Sequence, residues 1–181
     1  VKDHEVSRGS RIRVREVSSP ADMETIFRIR DEVFVAEQAL TSDARNDPDD
    51  QRSIHYLADY DGEPVGTGRL TMLAGEAQIA WVAVRRPFRG LGVGWKIMEA
   101  MIERAEQSDA DYIILNAQTH ALEFYRRLGF NPVGRVFTMA RIPHQVLIRP
   151  ISPGGGVTTA LDAGGRARTP SSARAAPHPA A

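Results

Sequence analysis

The sequence predicts a mixed α/β (α+β) domain, and three observations carry that reading. Segments with strand-like and helix-like apolar spacing follow one another in the order β-α-β-β-β-α-β-α-β-β. Three of the strands are consecutive and joined by short turn sequences, Asp61-Gly62-Glu63-Pro64 and Ala74-Gly75-Glu76, which makes an antiparallel meander. The last of the three, ending in Val82-Ala83-Val84, runs through a glycine-rich loop directly into a helix.

Each element has a local reason. Residues 11–17 alternate Ile12, Val14 and Val17 with Arg and Glu, a strand with one apolar face and one bulge or slip. Ser19-Pro20-Ala21-Asp22 starts a helix, with Ser19 as N-cap, Pro20 at N1 where its missing donor costs nothing, and Asp22 completing a capping-box-like pattern. Met23, Ile26, Phe27, Arg30 and Phe34 lie three to four apart and define its inner face. Residues 41–51, with Asp43, Asp47, Asp49 and Asp50 around Pro48, read as a polar solvated loop. Strands follow at 54–60, 65–73 and 77–84. A helix after Gly94 is marked by Trp95, Ile97, Met98, Met101, Ile102 and Ala105. A strand at 112–116, a helix at 119–128 ended by Gly129, and strands at 135–140 and 145–148 complete the domain.

Composition excludes several function classes. The 181 residues hold 23 Lys and Arg against 23 Asp and Glu, 42% apolar residues and no cysteine. Without cysteine there is no disulfide framework, thiolate zinc site or cysteine nucleophile. The net charge of zero does not suggest a nucleic-acid binder. No apolar run approaches the roughly 20 residues that span a bilayer. Lys2, Asp3, His4 and Glu5 precede any apolar stretch, an order unlike a secretory signal, so a cytoplasmic protein without a membrane partner is expected. From residue 151 onward, five Gly, four Pro and eight Ala leave too few bulky apolar side chains for a core. The expected organisation is an extension at 1–10, a folded domain at 11–150 and a disordered tail at 151–181.

The loop Arg89-Gly90-Leu91-Gly92-Val93-Gly94 is the most informative segment. Glycines so closely spaced point to positive φ angles or to a close backbone approach. Because the loop opens a helix, unpaired N–H groups and the helix dipole favour a phosphate there, with Arg85, Arg86 and Arg89 adding positive charge. A tight helix entry with no ligand is the alternative. Trp95 and Lys96 follow Gly94 where a P-loop needs Lys and then Ser or Thr, and Asn116 stands where a dinucleotide fold needs an acid, so nucleoside triphosphates and NAD are disfavoured.

On these residues the sequence resembles the GNAT superfamily of N-acetyltransferases. Arg89, Gly92 and Gly94 match the family's pyrophosphate loop after a strand ending in Val. Gln118, Ala121, Phe124, Tyr125, Leu128, Gly129 and Phe130 match its second signature. The resemblance is closer to the ElaA-like branch, through Arg28-Ile29-Arg30, Val33-Phe34-Val35-Ala36-Glu37-Gln38, His55, Arg69-Leu70, Ala117-Gln118 and Ile142-Pro143-His144. It departs from that branch at Ala39-Leu40-Thr41-Ser42-Asp43, near the expected acceptor side.

The resemblance implies a mixed, mostly antiparallel central sheet with helices on both faces, and an acetyl-CoA-dependent N-acetyltransferase. It implies that the backbone of Val82, Ala83 and Val84 meets the pantetheine arm and the carbonyl. The pyrophosphate would lie on the N–H groups of Arg89, Gly90, Leu91, Gly92, Val93 and Gly94, with Gln118 as a further cofactor contact. Tyr125 takes the place of the acid for the sulfur. It is alternatively a core residue that orients the cofactor. Glu37 is the candidate base, with a plain salt bridge as its alternative. His55 and His144 titrate in a suitable range, yet histidines on strands are expected as satisfied core or rim residues, and Arg28 and Arg30 as solvated ones. No metal is expected. The partners implied are a small-molecule or peptide amine acceptor, with a homodimer allowed. Competing readings are an acyl-CoA-binding sensor without turnover and an acyl-homoserine-lactone-synthase-like acyltransferase.

Overall fold

A computed structural model describes residues 11–40 and 43–151. The expected extension and all but the first residue of the expected tail lie outside the described residues. Seven strands form one sheet, β1 (Ile12–Val17), β2 (Ile54–Tyr60), β3 (Glu63–Leu73), β4 (Glu76–Val84), β5 (Tyr112–Gln118), β6 (Asn131–Met139) and β7 (Ile142–Pro150). Their order is β1-β2-β3-β4-β5-β7-β6, and every neighbouring pair is antiparallel except β4 and β5. Three helices, α1 (Pro20–Arg30), α2 (Val93–Glu106) and α3 (Leu122–Arg127), cover the two faces. Among the described residues, no helix is long and apolar enough to cross a membrane.

The first helix starts as its sequence predicts. Ser19 Oγ accepts from the Asp22 N–H at 3.1 Å, and Pro20 is the first helical residue. Its continuation differs, because Asp31–Glu37 winds as a π-helix that buries the adjacent Val33 and Phe34 together. With Ile26, Ile29 and Trp81 these form the smaller core, between α1 and the sheet.

The larger core lies under α2 and α3 and includes Ile97, Met98, Met101, Ile113, Leu115, Ala117 and Tyr125. Here α2 rests almost directly on the β3 backbone. A Cβ on Gly66 would come within 2.8 Å of Ile97, and one on Gly68 equally close to Ile97 and Met101. The two last strands are longer than the sequence predicts, since they are joined by Ala140 and Arg141, both at positive φ. That is the backbone of a tight two-residue hairpin, occupied by neither of its usual residues, Asn or Gly.

Candidate functional site

The site begins where β4 and β5 part. They pair only from Glu76–Tyr112 to Gln78–Ile114, so the rest of each strand separates from the other. A bulge lies in this stretch of β4. Thr67 faces Ala83 and Arg69 faces Ala80, which leaves Trp81 and Val82 opposite the single residue Gly68. Trp81 has φ +53°, a conformation that costs a bulky residue of the order of 1–3 kcal/mol. It is held there by contacts on several sides. Its indole N–H donates to Asp47 at 2.9 Å, Phe34 meets it edge-on at 5.0 Å, and the Arg30 guanidinium lies 4.9 Å above the ring.

Asp47 belongs to the segment expected as solvated, and the structure corrects that expectation. Asp47 and Asp50 turn inward to two cations that are 0% exposed, Arg30 and Arg69. Asp50 spans both, with Arg30 Nη1 at 2.7 Å and Arg69 Nη1 at 3.0 Å, while Asp47 meets Arg69 at 2.8 Å. Burial by itself would raise the Asp47 carboxyl. The Trp81 indole, the Asp49 N–H and Arg69 outweigh it and hold the group below its ordinary 3.8. Arg30 is therefore not a solvated helix arginine, whereas Arg28 is exposed and donates to Thr25.

Past β4 the chain turns through a short 3-10 segment into the glycine loop. Gly90 and Gly92 have φ +77° and +88°, and Gly92 is the residue from which α2 starts. The first N–H groups of α2 therefore point out of the helix without intrahelical acceptors. A cleft of about 390 Å³ lies against them. Of the residues singled out from the sequence, Val84, Arg89, Gly90, Gly92, Val93 and Gly94 line it, together with Trp95, Phe124 and Arg127. Val82 and Ala83 are buried in β4, and Leu91 is about half exposed.

The charges around this cleft are not those expected. Arg85 is held by Glu32 and Glu63. Arg89 donates to the Val84 carbonyl at 2.8 Å and pairs with Glu37 at 2.9 Å. A second cation lines the cleft from α3, Arg127, 5.6 Å from the Trp95 ring. Its place could have been found one helical step from Phe124, on the same short helix. Glu37 adopts its alternative, the salt bridge.

Tyr125 lies beside Phe124 with its ring against Phe124 and Phe130, and is 0% exposed. Its hydroxyl has no hydrogen-bond partner among the described residues, and burial pushes its pKa far above the ordinary 10.0. Burial therefore keeps it a neutral phenol. Gln118 ends β5, where its Nε2 donates to Gln38 at 2.9 Å, joining the β5 terminus to the segment after α1. His55 and His144 are both buried on strands as expected, with His55 Nε2 donating to the Asp50 carbonyl at 2.9 Å. Burial holds His55 below its ordinary 6.5.

A sheet that opens at a β-bulge beside a glycine-loop helix start agrees with what the sequence resembles, and comparison with known proteins decides the family. The sequence model of the acetyltransferase (GNAT) family matches residues 23–130. The chain belongs to the GNAT acetyltransferase family. The uncharacterised N-acetyltransferase YjcF of Bacillus subtilis is 38% identical over 125 residues, 68% of this chain and 89% of that protein. Among solved structures, Escherichia coli ElaA superposes with a TM-score of 0.69 at 27% identity, covering 76% of this chain and 99% of ElaA. An acyl-CoA N-acyltransferase of Pseudomonas aeruginosa superposes with a TM-score of 0.66 at 26% identity, covering 76% and 97%. The sheet of this GNAT protein, mixed, mostly antiparallel and with helices on both faces, is thus the family fold.

Proposed function

We propose that this GNAT protein transfers an acetyl group from acetyl-CoA to a primary amine of a small-molecule or peptide acceptor, by direct attack of the amine on the thioester. The observation that carries the proposal is the cleft at the start of α2, bounded by the end of β4, the glycine loop and the Phe124 to Arg127 side of α3. It combines outward N–H groups and a cation with three aromatic side chains, Phe88, Trp95 and Phe124, which suits a phosphorylated donor with an apolar arm.

In this reading the N–H groups between Arg89 and Gly94 hold the pyrophosphate, and Arg127 adds the charged contact. Val82, Ala83 and Val84, which have left their pairing with β5, offer backbone groups to the pantetheine and to the carbonyl oxygen. Tyr125 gives its proton to the departing sulfur, and Gln118 orders the far side of the opening. The activity is assigned to residues 11–150.

The test is thermal unfolding with and without acetyl-CoA. A ligand at 100 times its dissociation constant adds about 2.7 kcal/mol of stability, which for a domain of this size raises the midpoint by roughly 5–10 °C. Release of free thiol with a panel of primary amines then reports transfer. No shift at millimolar acetyl-CoA removes the proposal, and a shift without transfer to any amine favours the sensor reading.

Tyr125→Phe separates the acid from a mere cofactor contact. Loss of a positioned acid lowers kcat by about 100-fold or more, with the acetyl-CoA dissociation constant within a few-fold of wild type. Because the hydroxyl is buried and unpartnered among the described residues, its removal leaves stability unchanged or slightly higher. Weakened acetyl-CoA binding at normal kcat would make Tyr125 a binding residue instead.

A further inference from the structure

We propose that Glu37 competes with the donor's pyrophosphate for Arg89, and that acetyl-CoA, by drawing Arg89 away, loosens a strap that Glu37 and Gln38 form across the opening between β4 and β5. The inference rests on the transferase reading above. Its basis is that two consecutive residues hold the two sides of one opening.

The strands β4 and β5 pair only as far as Gln78 and Ile114. Beyond that point the end of each strand is tied to the same dipeptide. Glu37 Oε2 accepts from Arg89 Nη2 at 2.9 Å, and Arg89 Nε donates to the Val84 carbonyl at 2.8 Å, which binds Glu37 to the end of β4. Gln38 Oε1 accepts at 2.9 Å from Nε2 of Gln118, the last residue of β5. Behind the dipeptide the chain folds back on its own helical turn, with Ala39 N–H on the Val35 carbonyl and Leu40 N–H on that of Phe34. Ala39 has φ +54°, a region that is unfavourable for any residue with a Cβ. The strap is therefore strained at one end and held by a side-chain contact on each side of the opening.

The contact on the donor side is the exchangeable one. Among the described residues, the cations that line the donor cleft are Arg89 and Arg127, and no carboxylate lines it. The Arg89 and Glu37 side chains are 25% and 26% exposed, and an ion pair so open to water is weak. A pyrophosphate on the first N–H groups of α2 brings more negative charge than one carboxylate and offers a guanidinium two oxygens at once. It also repels Glu37. Arg89 therefore turns to the phosphate, and Glu37 loses the one ion pair it makes among the described residues.

The consequence falls on the other side of the strap. A cavity of about 10 Å³ lies there, lined by Gln38 with Phe34, Leu40, Gln118 and Ile142, and it has room for one water but not for an amine. Loosening the strap is what makes space at this end of the opening for an acceptor.

Two measurements test the proposal. Calorimetric titration with acetyl-CoA compares wild type, Glu37→Gln, Arg89→Gln and the double variant. Glu37→Gln keeps the size of a partly exposed side chain and removes its charge, so the fold is preserved. It should bind acetyl-CoA about two- to five-fold more tightly than wild type, and the gain should fall below about 1.5-fold in the Arg89→Gln background. Equal or weaker binding by Glu37→Gln overturns the competition, because the carboxylate would then be positioning Arg89 for the phosphate. A gain that persists in the Arg89→Gln background also overturns it, because plain charge repulsion would then be the cause. Hydrogen exchange read by mass spectrometry reports on the strap. Saturating acetyl-CoA should slow exchange at the glycine loop but speed it at residues 33–40 by about three-fold or more, whereas binding without release slows both. In Glu37→Gln the added acetyl-CoA should leave residues 33–40 unchanged. Unchanged or slower exchange there in wild type overturns the strap. Absence of acetyl-CoA binding by wild type removes the transferase reading, and this inference with it.

Discussion

Asp50→Ala is expected to lower the free energy of unfolding by about 3–5 kcal/mol, a large share of the stability of a domain of this size. Its carboxylate holds two guanidiniums that have no access to water. Arg30 donates Nη1 at 2.7 Å and Nη2 at 3.2 Å, and Arg69 donates Nη1 at 3.0 Å. Without Asp50, Arg30 keeps the Ala44 carbonyl at 3.3 Å, and Arg69 keeps Asp47. Two buried cations would then share one anion. Denaturant unfolding of the purified variant at neutral pH checks this, and a loss below about 1 kcal/mol would show that water reaches the cluster. Adding Arg30→Met to the variant should recover part of the loss, since a buried charge without a partner costs more than an apolar side chain of similar size.

The same cluster sets a pH dependence of known sign. Asp47 has a folded-state pKa below its ordinary 3.8. Its contribution to stability is therefore complete above the unfolded value and is lost as pH falls through the folded one. Stability measured below about pH 4 should fall less steeply in Asp47→Asn than in wild type. The variant should also loosen Trp81, whose indole N–H uses the same carboxylate, and so report whether the bulge of β4 depends on this clamp.

This cluster also shows where the sequence was legible and where it was not. The order of elements and the glycine loop could be read because their causes are local, namely apolar spacing, Ser19 and Pro20 at a helix start, and glycines at positive φ. Whether Asp47 and Asp50 face water is decided by partners 19 to 34 residues away. A run of acidic residues looks the same in either case. One signal was nonetheless present, since Arg30 interrupts the apolar stripe of α1 and Arg69 lies within the apolar run of β3. Cations on buried faces require anions, and residues 43–50 supply them. The π-helical turn and the Ala140-Arg141 hairpin gave no such sign, because neither uses the residues that usually mark it. In the candidate site, the loop was legible from its closely spaced glycines, whereas Tyr125 was singled out by the family resemblance alone. The commitment of Glu37 to Arg89 and the hydrogen bond of Gln118 to Gln38 were not legible, because each joins segments far apart in the chain.

Gly92→Asp should abolish measurable acetyl-CoA binding, a loss of about 100-fold or more, while the protein still folds. At φ +88° any side chain is strained by the order of 1 kcal/mol. The added Cβ meets nothing closer than Ile12 Cδ1 at 3.8 Å, so no packing is broken. A carboxylate at this position satisfies the first N–H groups of α2 and complements the helix dipole, which offsets the strain. For the same reason it competes for the place assigned to phosphate and repels it. Gly92→Ala carries the strain without the charge and should weaken binding less. Gly94→Ala is milder again, since its Cβ would make ordinary contacts with Val84 at 3.6 Å and Phe124 at 3.7 Å. Calorimetric titration should therefore show the largest loss of affinity in Gly92→Asp, a smaller one in Gly92→Ala and the smallest in Gly94→Ala. Unchanged acetyl-CoA affinity in Gly92→Asp would move the phosphate away from this helix start, because a fixed negative charge cannot share that place with a second one.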